Sequence, residues 1–172
     1  IFLVNKINKN KVLLNFKFNA WAKYKDYQKD NLINNKISKI TKIKKINPTM
    51  IINNKLKQVV LEGGAIDVNG KGSILLTKEC LLSKIQERNP GITKHVLENV
   101  LKKYLNVTNF IWLNKGIEGD DTHGHIDDIA RFVSKSTIMA AVENNKKDTN
   151  YLNLKENYKI LRTPMPPDDP LN

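Results

Sequence analysis

Residues 119–133 read GDDTHGHIDDIARFV, and this stretch decides both the fold and the chemistry of the chain. It begins as the densest polar cluster of the sequence and continues into an apolar segment typical of a strand. Residues two apart on a strand point the same way, so the pattern predicts that His123, His125 and Asp127 share one face. A histidine transfers protons near neutral pH, and a carboxylate can accept two parallel hydrogen bonds from a planar guanidinium. The cluster therefore predicts an acid–base site for a flat cation.

Two other interpretations of this cluster stay open at the level of the residues. His123, His125 and Asp127 resemble the start of the metallo-β-lactamase motif, whose ligand types suit zinc. That motif continues with another His where this chain has Asp128, and no His follows His125. The second interpretation is a solvated acidic turn, for which two His beside several carboxylates are an unusual composition.

A second polar cluster occupies residues 61–70, which read LEGGAIDVNG. Glu62 precedes Gly63 and Gly64, and glycine permits a close approach of the backbone to another group. A buried Glu beside a His would hold the imidazole in one orientation and stabilise its charged form. Taken alone, the favoured interpretation is a strand bulge with an exposed Glu62.

The periodicity of apolar residues predicts strands and helices in a recurring order. Strands are predicted over residues 11–19, 49–53, 61–68, 73–77, 109–113, 124–133 and 137–142, and helices over residues 30–45, 93–105 and 149–161. Asn69 and Gly70 indicate a hairpin, Thr93 is a helix cap, and the Pro-rich residues 163–172 indicate a loop. The unit strand, strand, helix, strand recurs with incomplete first and last copies, which predicts an α/β ring or array.

The composition and the apolar runs argue against two classes of protein, disulfide-stapled domains and membrane-spanning chains. The single cysteine, Cys80, excludes an internal disulfide framework and favours a reducing cytoplasm. No apolar run approaches the length needed to span a bilayer, so no membrane partner is expected. The first residue is Ile1 rather than Met, and we expect the chain to begin inside a longer protein.

The positive charge is concentrated at one end of the chain. Residues 1–60 hold 14 Lys against two acids, Asp26 and Asp30, while the remaining 15 basic and 15 acidic residues cancel. A basic nucleic-acid-binding module is one interpretation. The excess is Lys mixed with Asn and Ile, and Arg, which makes bidentate phosphate and base contacts, is scarce. Coding bias is therefore favoured over nucleic-acid binding.

Four segments together resemble one known family. They are Phe18-Asn19-Ala20-Trp21, residues 61–70, Ile111-Trp112-Leu113 and residues 119–133. Their types and order are similar to the agmatine deiminase and Porphyromonas-type peptidylarginine deiminase family of the pentein superfamily, over about residues 13–142. The resemblance implies an α/β propeller of five ββαβ units, of which this chain holds an incomplete set.

The resemblance also implies the reaction and the residues. The expected reaction is hydrolysis of agmatine to N-carbamoylputrescine and ammonia in putrescine biosynthesis, through a Cys–His covalent mechanism without metal or other cofactor. A deiminase of peptidyl or free arginine is the alternative within the family. The matching positions make His125 the catalytic histidine, Asp127 the guanidinium clamp and Glu62 the support of the imidazole. Trp21 would lie near the substrate entrance, and Asp121 would shape the loop.

Two family elements do not occur in the sequence. One is a Trp-x-Arg-Asp-x-Gly-Pro segment with a second guanidinium clamp, and the other is a Gly-Gly-Gly-x-Ile-His-Cys segment with the nucleophile. Cys80 precedes two Leu and is expected to be a buried apolar residue. Residues 1–172 are therefore expected to form a partial catalytic domain that is inactive alone. Its partner is a small guanidine, and self-association is left open.

Overall fold

The computed structural model describes residues 1–162; the loop predicted for residues 163–172 lies outside the described residues. The chain divides into two compact units. Unit 1 comprises Ile1–Glu62 and Arg88–Leu105, and unit 2 comprises Gly63–Glu87 and Asn106–Asn172. In chain order the elements are β1 (Phe2–Val4), β2 (Lys11–Leu14), α1 (Ile33–Thr41), β3 (Lys44–Ile46), β4 (Thr49–Ile52), β5 (Lys55–Gln58), β6 (Asp67–Val68), β7 (Ser73–Thr77), α2 (Lys78–Leu82), α3 (Lys94–Leu105), β8 (Asn109–Leu113), β9 (Ala130–Phe132), β10 (Ile138–Ala140) and α4 (Tyr151–Leu161).

Unit 1 begins with one complete ββαβ arrangement. Strand β1 pairs with β2 antiparallel, and β3 pairs with β2 in parallel after the crossover helix α1. The central strand β2 buries Leu13 and Leu14, which begin the core of the unit. A parallel pair needs such a crossover because its two strands run in the same direction.

The helix predicted over residues 30–45 is shorter than expected. A 3₁₀ turn, Asp30–Leu32, precedes α1, and the helix ends before Lys42, which has a left-handed φ of 57°. The residues that follow form β3, and the prediction of helix there is wrong because pairing with β2 outweighs the helical spacing of the apolar residues.

A hairpin and a helix complete unit 1. Strand β4 was predicted, whereas its antiparallel partner β5 was not. The turn between them, Asn53 and Asn54, has φ of 51° and 59°, the pair of left-handed residues that a two-residue hairpin turn requires. Helix α3 has its predicted cap, since the Thr93 side chain accepts a hydrogen bond from the Val96 N–H at 3.3 Å.

Unit 2 is built on the sheet β6-β7-β8. Strand β6 pairs antiparallel with β7, and β8 pairs in parallel with β7, all five residues of which are buried. Strand β8 has its predicted bounds. The first arm of the predicted hairpin is reduced to β6, because Gly63–Ala65 forms a 3₁₀ turn instead of extended chain.

A second hairpin and a helix finish the described part of unit 2. Strands β9 and β10 pair antiparallel, and α4 follows close to its predicted position. The core contains buried side chains from the sheet, from residues 126–130 and from α4, namely Leu75, Leu113, Ile126, Ile129, Ala130 and Leu154. Within residues 1–162, no helix is both long and apolar enough to cross a bilayer.

Candidate active site

The loop that leads to His125 is folded around the carboxylate of Asp120. Oδ1 accepts hydrogen bonds from the N–H and the hydroxyl of Thr122 at 2.7 and 2.6 Å. Oδ2 accepts from the N–H groups of Gly124 and His125 at 2.7 and 3.1 Å. His123 and Gly124 have positive φ, 63° and 87°, which turns the chain back toward this carboxylate. Four hydrogen bonds to one side chain thus fix the backbone entering His125.

His125 and Asp127 come together at the start of a 3₁₀ helix, Ile126–Asp128. The His125 ring is nearly buried, and its Nδ1 lies 3.8 Å from Oδ1 of Asp127. Nε2 of His123 instead lies 3.3 Å from the Ser83 hydroxyl. The prediction that these residues alternate on one strand is wrong, because a turn and a 3₁₀ helix occupy the segment. The pairing of His125 with Asp127 arises from that turn.

Gly64 packs directly against this pair. A Cβ on Gly64 would lie 2.5 Å from Nδ1 of His125 and 2.9 and 3.0 Å from the two carboxylate oxygens of Asp127. A Cβ on Gly63 would meet nothing within 4 Å. Only a residue without a side chain fits at position 64, so the cluster of residues 61–70 meets the cluster of residues 119–133 at this glycine.

Gly124 of the loop packs against the last residue of β7, Thr77, and against Glu79 of α2. The Thr77 hydroxyl donates a hydrogen bond to the Gly124 carbonyl. A Cβ on Gly124 would lie 2.8 Å from Oε2 of Glu79, and the same oxygen accepts a hydrogen bond from the Gly116 N–H at 2.8 Å. This close packing holds the residue before His125 in place.

Arg131 joins two carboxylates of unit 2. Its Nε lies 3.5 Å from Oδ1 of Asp67, and its Nη1 lies 3.6 Å from Oδ2 of Asp127. The other oxygen of Asp67 accepts the Phe132 N–H at 2.6 Å, so Asp67 is anchored to β9. One edge of Asp127 therefore faces an arginine of the chain, and the other faces His125.

Two carboxylates of the loop have shifted pKa values in opposite directions. Burial by itself would raise the pKa of Asp120, but the hydrogen bonds from Thr122, Gly124 and His125 outweigh it and lower that pKa. The pKa of Asp128 is raised by burial and by the negative charges of Asp120 and Asp127, with His125 acting in the opposite sense. The loop therefore favours the ionised form of Asp120 and disfavours the ionised form of Asp128.

Glu62 is buried within unit 1, with 7% of its surface exposed. Nε of Arg88 lies 3.3 and 3.4 Å from its two carboxylate oxygens, and the Arg88 side chain is fully buried. The interpretation of Glu62 as an exposed residue on a strand bulge is wrong. A buried carboxylate requires such a charged partner because desolvation of a lone ion is costly.

Trp21 lies in an unusual turn of unit 1. Ala20, Trp21 and Ala22 all have positive φ, 49°, 58° and 55°, a conformation that L-residues adopt at a cost of about 1–2 kcal/mol each. The Asn19 side chain accepts the Ala22 N–H at 3.0 Å and closes the turn. The Trp21 ring makes edge contacts with the rings of Phe18 and Tyr24. Two aromatic side chains close in sequence thus pack against the indole.

Cys80 is buried, as predicted for an apolar residue, with 1% of its surface exposed. Its Sγ lies within 4.8 Å of a ring nitrogen of His125. Among residues 1–162, no group of three His, Cys, Asp or Glu side chains with converging ligand atoms includes His123. The zinc interpretation, which needs His123 and His125 as joint ligands, therefore gains no support.

A cavity of about 940 Å³ lies within unit 1. Its lining includes Lys17, Lys45 and Lys57 together with several Asn side chains, and no carboxylate. A guanidinium has no anionic partner there, so this cavity does not suit a guanidine substrate.

Asp121 was expected to shape the loop, but the residue that folds it is Asp120, which the sequence did not single out. Asp121 is exposed, and its carbonyl accepts a hydrogen bond from the Gln86 amide at 3.3 Å. Its neighbour Asp120 accepts the bonds that fold the loop, and the Asp-x-Thr spacing is the signal for such a turn. Arg88 carries no local signal, because its carboxylate partner is 26 residues away and is set by the fold. Arg131 stands four residues after one of its partners, Asp127.

Known proteins resemble this chain over most of its length. A family model described as Porphyromonas-type peptidyl-arginine deiminase matches residues 1–169. A relative from Latilactobacillus sakei is 40% identical over 149 residues, which cover 84% of this chain and 38% of the relative. The agmatine deiminase of Medicago truncatula is 35% identical over 154 residues, or 86% of this chain and 38% of that protein.

Solved structures agree with the sequence relatives. The agmatine deiminase of Enterococcus faecalis superposes with a TM-score of 0.79 at 30% identity, over 92% of this chain and 42% of that one. A cysteine-to-serine variant of the C. jejuni agmatine deiminase with substrate bound gives a TM-score of 0.76 at 34% identity, over 90% and 44%.

These matches confirm the predicted fold class, an incomplete set of pentein ββαβ units. The chain spans about two fifths of the length of the relatives it matches. The family-model match over residues 1–169 identifies the chain as a member of the Porphyromonas-type peptidyl-arginine deiminase family.

Proposed function

We propose that this chain is the central portion of an enzyme that hydrolyses agmatine to N-carbamoylputrescine and ammonia. The observation that carries the proposal is the nearly buried His125 paired with Asp127 at 3.8 Å, with Gly64 packed against both groups. This arrangement pairs a group that transfers protons with a carboxylate suited to a guanidinium. In the proposed enzyme, a second clamp and a nucleophilic cysteine belong to segments other than residues 1–172.

The proposed mechanism assigns one task to each group. Asp127 accepts hydrogen bonds from the guanidinium and holds its carbon for attack by the cysteine thiolate. His125, as imidazolium, gives its proton to the departing nitrogen, which leaves as ammonia and generates a thiouronium. The neutral imidazole then takes a proton from water as the water attacks the same carbon. Collapse of this adduct breaks the C–S bond and releases the ureido product.

Glu62 and Trp21 receive supporting roles in the proposal. Glu62 stands two positions before Gly64 in the sequence, and we assign its carboxylate to the orientation of the His125 imidazole. The indole of Trp21 is assigned to the aliphatic part of the substrate. Asp121, exposed on the loop, is assigned to attraction of the cation.

Charge favours agmatine over arginine as the substrate. Residues 118–128 contain five carboxylates, Glu118, Asp120, Asp121, Asp127 and Asp128, and no Lys or Arg. Such a loop attracts the dication agmatine more strongly than arginine, which carries a carboxylate at the end remote from its guanidine. The related proteins named agmatine deiminase support the same choice.

Ammonia release by the complete protein tests the proposal. Agmatine, free arginine and a peptide with a C-terminal arginine are compared as substrates, each with the wild type and with Asp127→Asn. We expect agmatine to have the highest kcat/KM, and Asp127→Asn to raise its KM by about 10²-fold because a charge-assisted bidentate contact is lost. Equal or faster turnover of the peptide refutes the preference for agmatine. Absence of ammonia from all three refutes the function.

The remaining expectations stay predictions. The single cysteine favours a reducing, cytoplasmic location, which stays a prediction. The mechanism gives no role to a metal, a nucleic acid or a membrane, and it leaves self-association open. A salt-dependent duplex titration tests the basic N-terminal residues, and a steep loss of affinity with salt at low micromolar Kd favours nucleic-acid binding.

A further inference from the structure

Arg88 and Asn89 form hydrogen bonds with the segment that ends in Glu62. The Asn89 side chain makes two hydrogen bonds with the backbone of Val60: its oxygen accepts the N–H at 2.9 Å, and its amide donates to the carbonyl at 2.8 Å. Asn89 is buried, with 3% of its surface exposed. On the opposite side, the Leu61 N–H donates to the Lys17 carbonyl at 3.2 Å. The backbone before Glu62 is thus held on both sides.

Arg88 contacts the carboxylate of Glu62 directly. Its Nε lies at nearly equal distances, 3.3 and 3.4 Å, from the two oxygens of Glu62. The Arg88 side chain is 0% exposed and the Glu62 side chain 6%, so water does not screen the pair. The planar guanidinium fixes the orientation of the carboxylate as well as its position, which the point charge of a Lys does less well.

Arg88 also contacts the turn that carries Trp21. The Arg88 carbonyl accepts a hydrogen bond from the Asn19 side-chain amide at 3.4 Å. The oxygen of that side chain closes the turn by accepting the Ala22 N–H. Arg88 therefore contacts two segments of unit 1 that hold residues assigned to the site, one through its guanidinium and one through its carbonyl.

We propose that Arg88 is a positioning residue of the enzyme, which acts on the reaction through Glu62. The inference rests on the proposed function, since Glu62 matters to catalysis only if His125 is the proton-transfer group. In this scheme Arg88 acts through Glu62 and not on the reacting atoms. Its guanidinium keeps the Glu62 carboxylate in the single orientation that the imidazole requires.

A double-mutant cycle in the complete protein tests this role. The variants are Arg88→Met, Arg88→Lys, Glu62→Gln and the double variant, with kcat, KM and the pH profile for agmatine measured for each. We expect Arg88→Met to lower kcat by about 10²-fold, as misplacement of a catalytic group does, with KM changed less than about threefold. Arg88→Lys should recover about tenfold of that loss, because it restores the charge but not the planar contact.

The cycle separates positioning from a structural role. If Arg88 acts through Glu62, Arg88→Met has little further effect in the Glu62→Gln background, and both single variants shift the pH profile in the same direction. The same fold-loss in both backgrounds overturns the proposal. Arg162→Met, which alters an exposed arginine at the end of α4, is the matched control and should leave the rates unchanged.

Two further outcomes have defined meanings. If circular dichroism shows that Arg88→Met does not fold, Arg88→Lys decides: a lower kcat with unchanged KM and a shifted pH profile supports the role, and wild-type kinetics overturn it. If the wild type releases no ammonia from any guanidine, the proposed function fails. Hydrolysis by the wild type with an additive cycle refutes only the role of Arg88.

Discussion

The segments that carry His125 and Glu62 are held in place by different means. The His125 loop in unit 2 is folded by backbone N–H groups that donate to Asp120 from two to five residues away. The Glu62 segment in unit 1 is held by a buried ion pair with Arg88, 26 residues further along the chain. The hydrogen bonds to Asp120 are local and could be recognised in the sequence, whereas the pairing of Glu62 with Arg88 can be seen only in the structure. Substitutions should therefore perturb the two segments differently.

Among the residues that surround the proposed proton-transfer group, the largest effect is expected at Gly64, where the added methyl of Gly64→Ala would overlap both His125 and Asp127. Relief of a 2.5 Å contact requires the imidazole or the backbone to move, and a shift of about 1 Å can cost about 10²-fold in rate. We expect kcat/KM of the complete protein for agmatine to fall by at least that factor. Gly63→Ala, whose methyl meets open space, is the control, and equal losses in both variants would show that the contact is unimportant.

The next effect is expected at Asp120. Asp120→Asn replaces a carboxylate that accepts four hydrogen bonds by an amide, which has only one acceptor oxygen. We expect the free energy of unfolding to fall by about 1–3 kcal/mol at pH 7. Thermal denaturation of the 172-residue chain measures it. Glu118→Gln, which removes an exposed charge from the same loop, should change stability by less than about 0.5 kcal/mol.

The pH dependence of stability sharpens the same test. Because the folded pKa of Asp120 is depressed, its contribution is present above the unfolded pKa of about 3.9 and is lost as pH falls through the lower folded value. The wild type should therefore lose stability below about pH 4 more steeply than Asp120→Asn. Parallel curves for the two proteins contradict the assignment of the four hydrogen bonds.

A smaller effect is expected at Arg131, whose side chain is 55% exposed. Arg131→Met frees one edge of Asp127 but removes the charge that orients it. Since exposed pairs contribute little, we expect KM for agmatine to change by about three- to fivefold and kcat by less. Steady-state kinetics of the complete protein checks this. A loss as large as that of Gly64→Ala would assign Arg131 a direct role.

The smallest effect is expected at Cys80, although its sulfur lies within 4.8 Å of a His125 ring nitrogen. A thiol with 1% exposure is not accessible to a substrate, so Cys80→Ala should keep kcat of the complete protein within about threefold. Loss of a covalent adduct with an agmatine analogue in Cys80→Ala, detected by mass spectrometry, would identify Cys80 as the nucleophile instead.

Local patterns predicted the elements whose formation depends on nearby residues. Helix α3 with its Thr93 cap, strand β8 and the hairpin around Asn69 all carry their signals within a few positions. Strand β3 does not, because it forms only by parallel pairing with β2, about thirty residues earlier. Ile43, just before β3, continues the helical spacing of the apolar residues of α1, so this periodicity could not separate the helix from the strand.

The candidate site was predicted in part for the same reason. The residue types of His125 and Asp127 were recognisable, but strand alternation gave the wrong geometry, because the Asp120 turn and a 3₁₀ helix replace the strand. Gly64 was expected to permit a close approach of the backbone to another group. The groups that approach it are the side chains of His125 and Asp127. Arg88 was not predicted, since nothing near it in the sequence indicates that its partner is Glu62.

Substitution of His125 in the complete protein, followed by the rate of agmatine hydrolysis, addresses the proposed chemistry most directly. Loss of a general acid–base group lowers kcat by about 10²–10⁴-fold, and His125→Ala should fall in this range. His95→Ala, which alters an exposed histidine on α3, should retain the wild-type rate. If His125→Ala keeps more than about a tenth of the wild-type kcat, His125 is not the proton-transfer group, and the proposed mechanism is wrong.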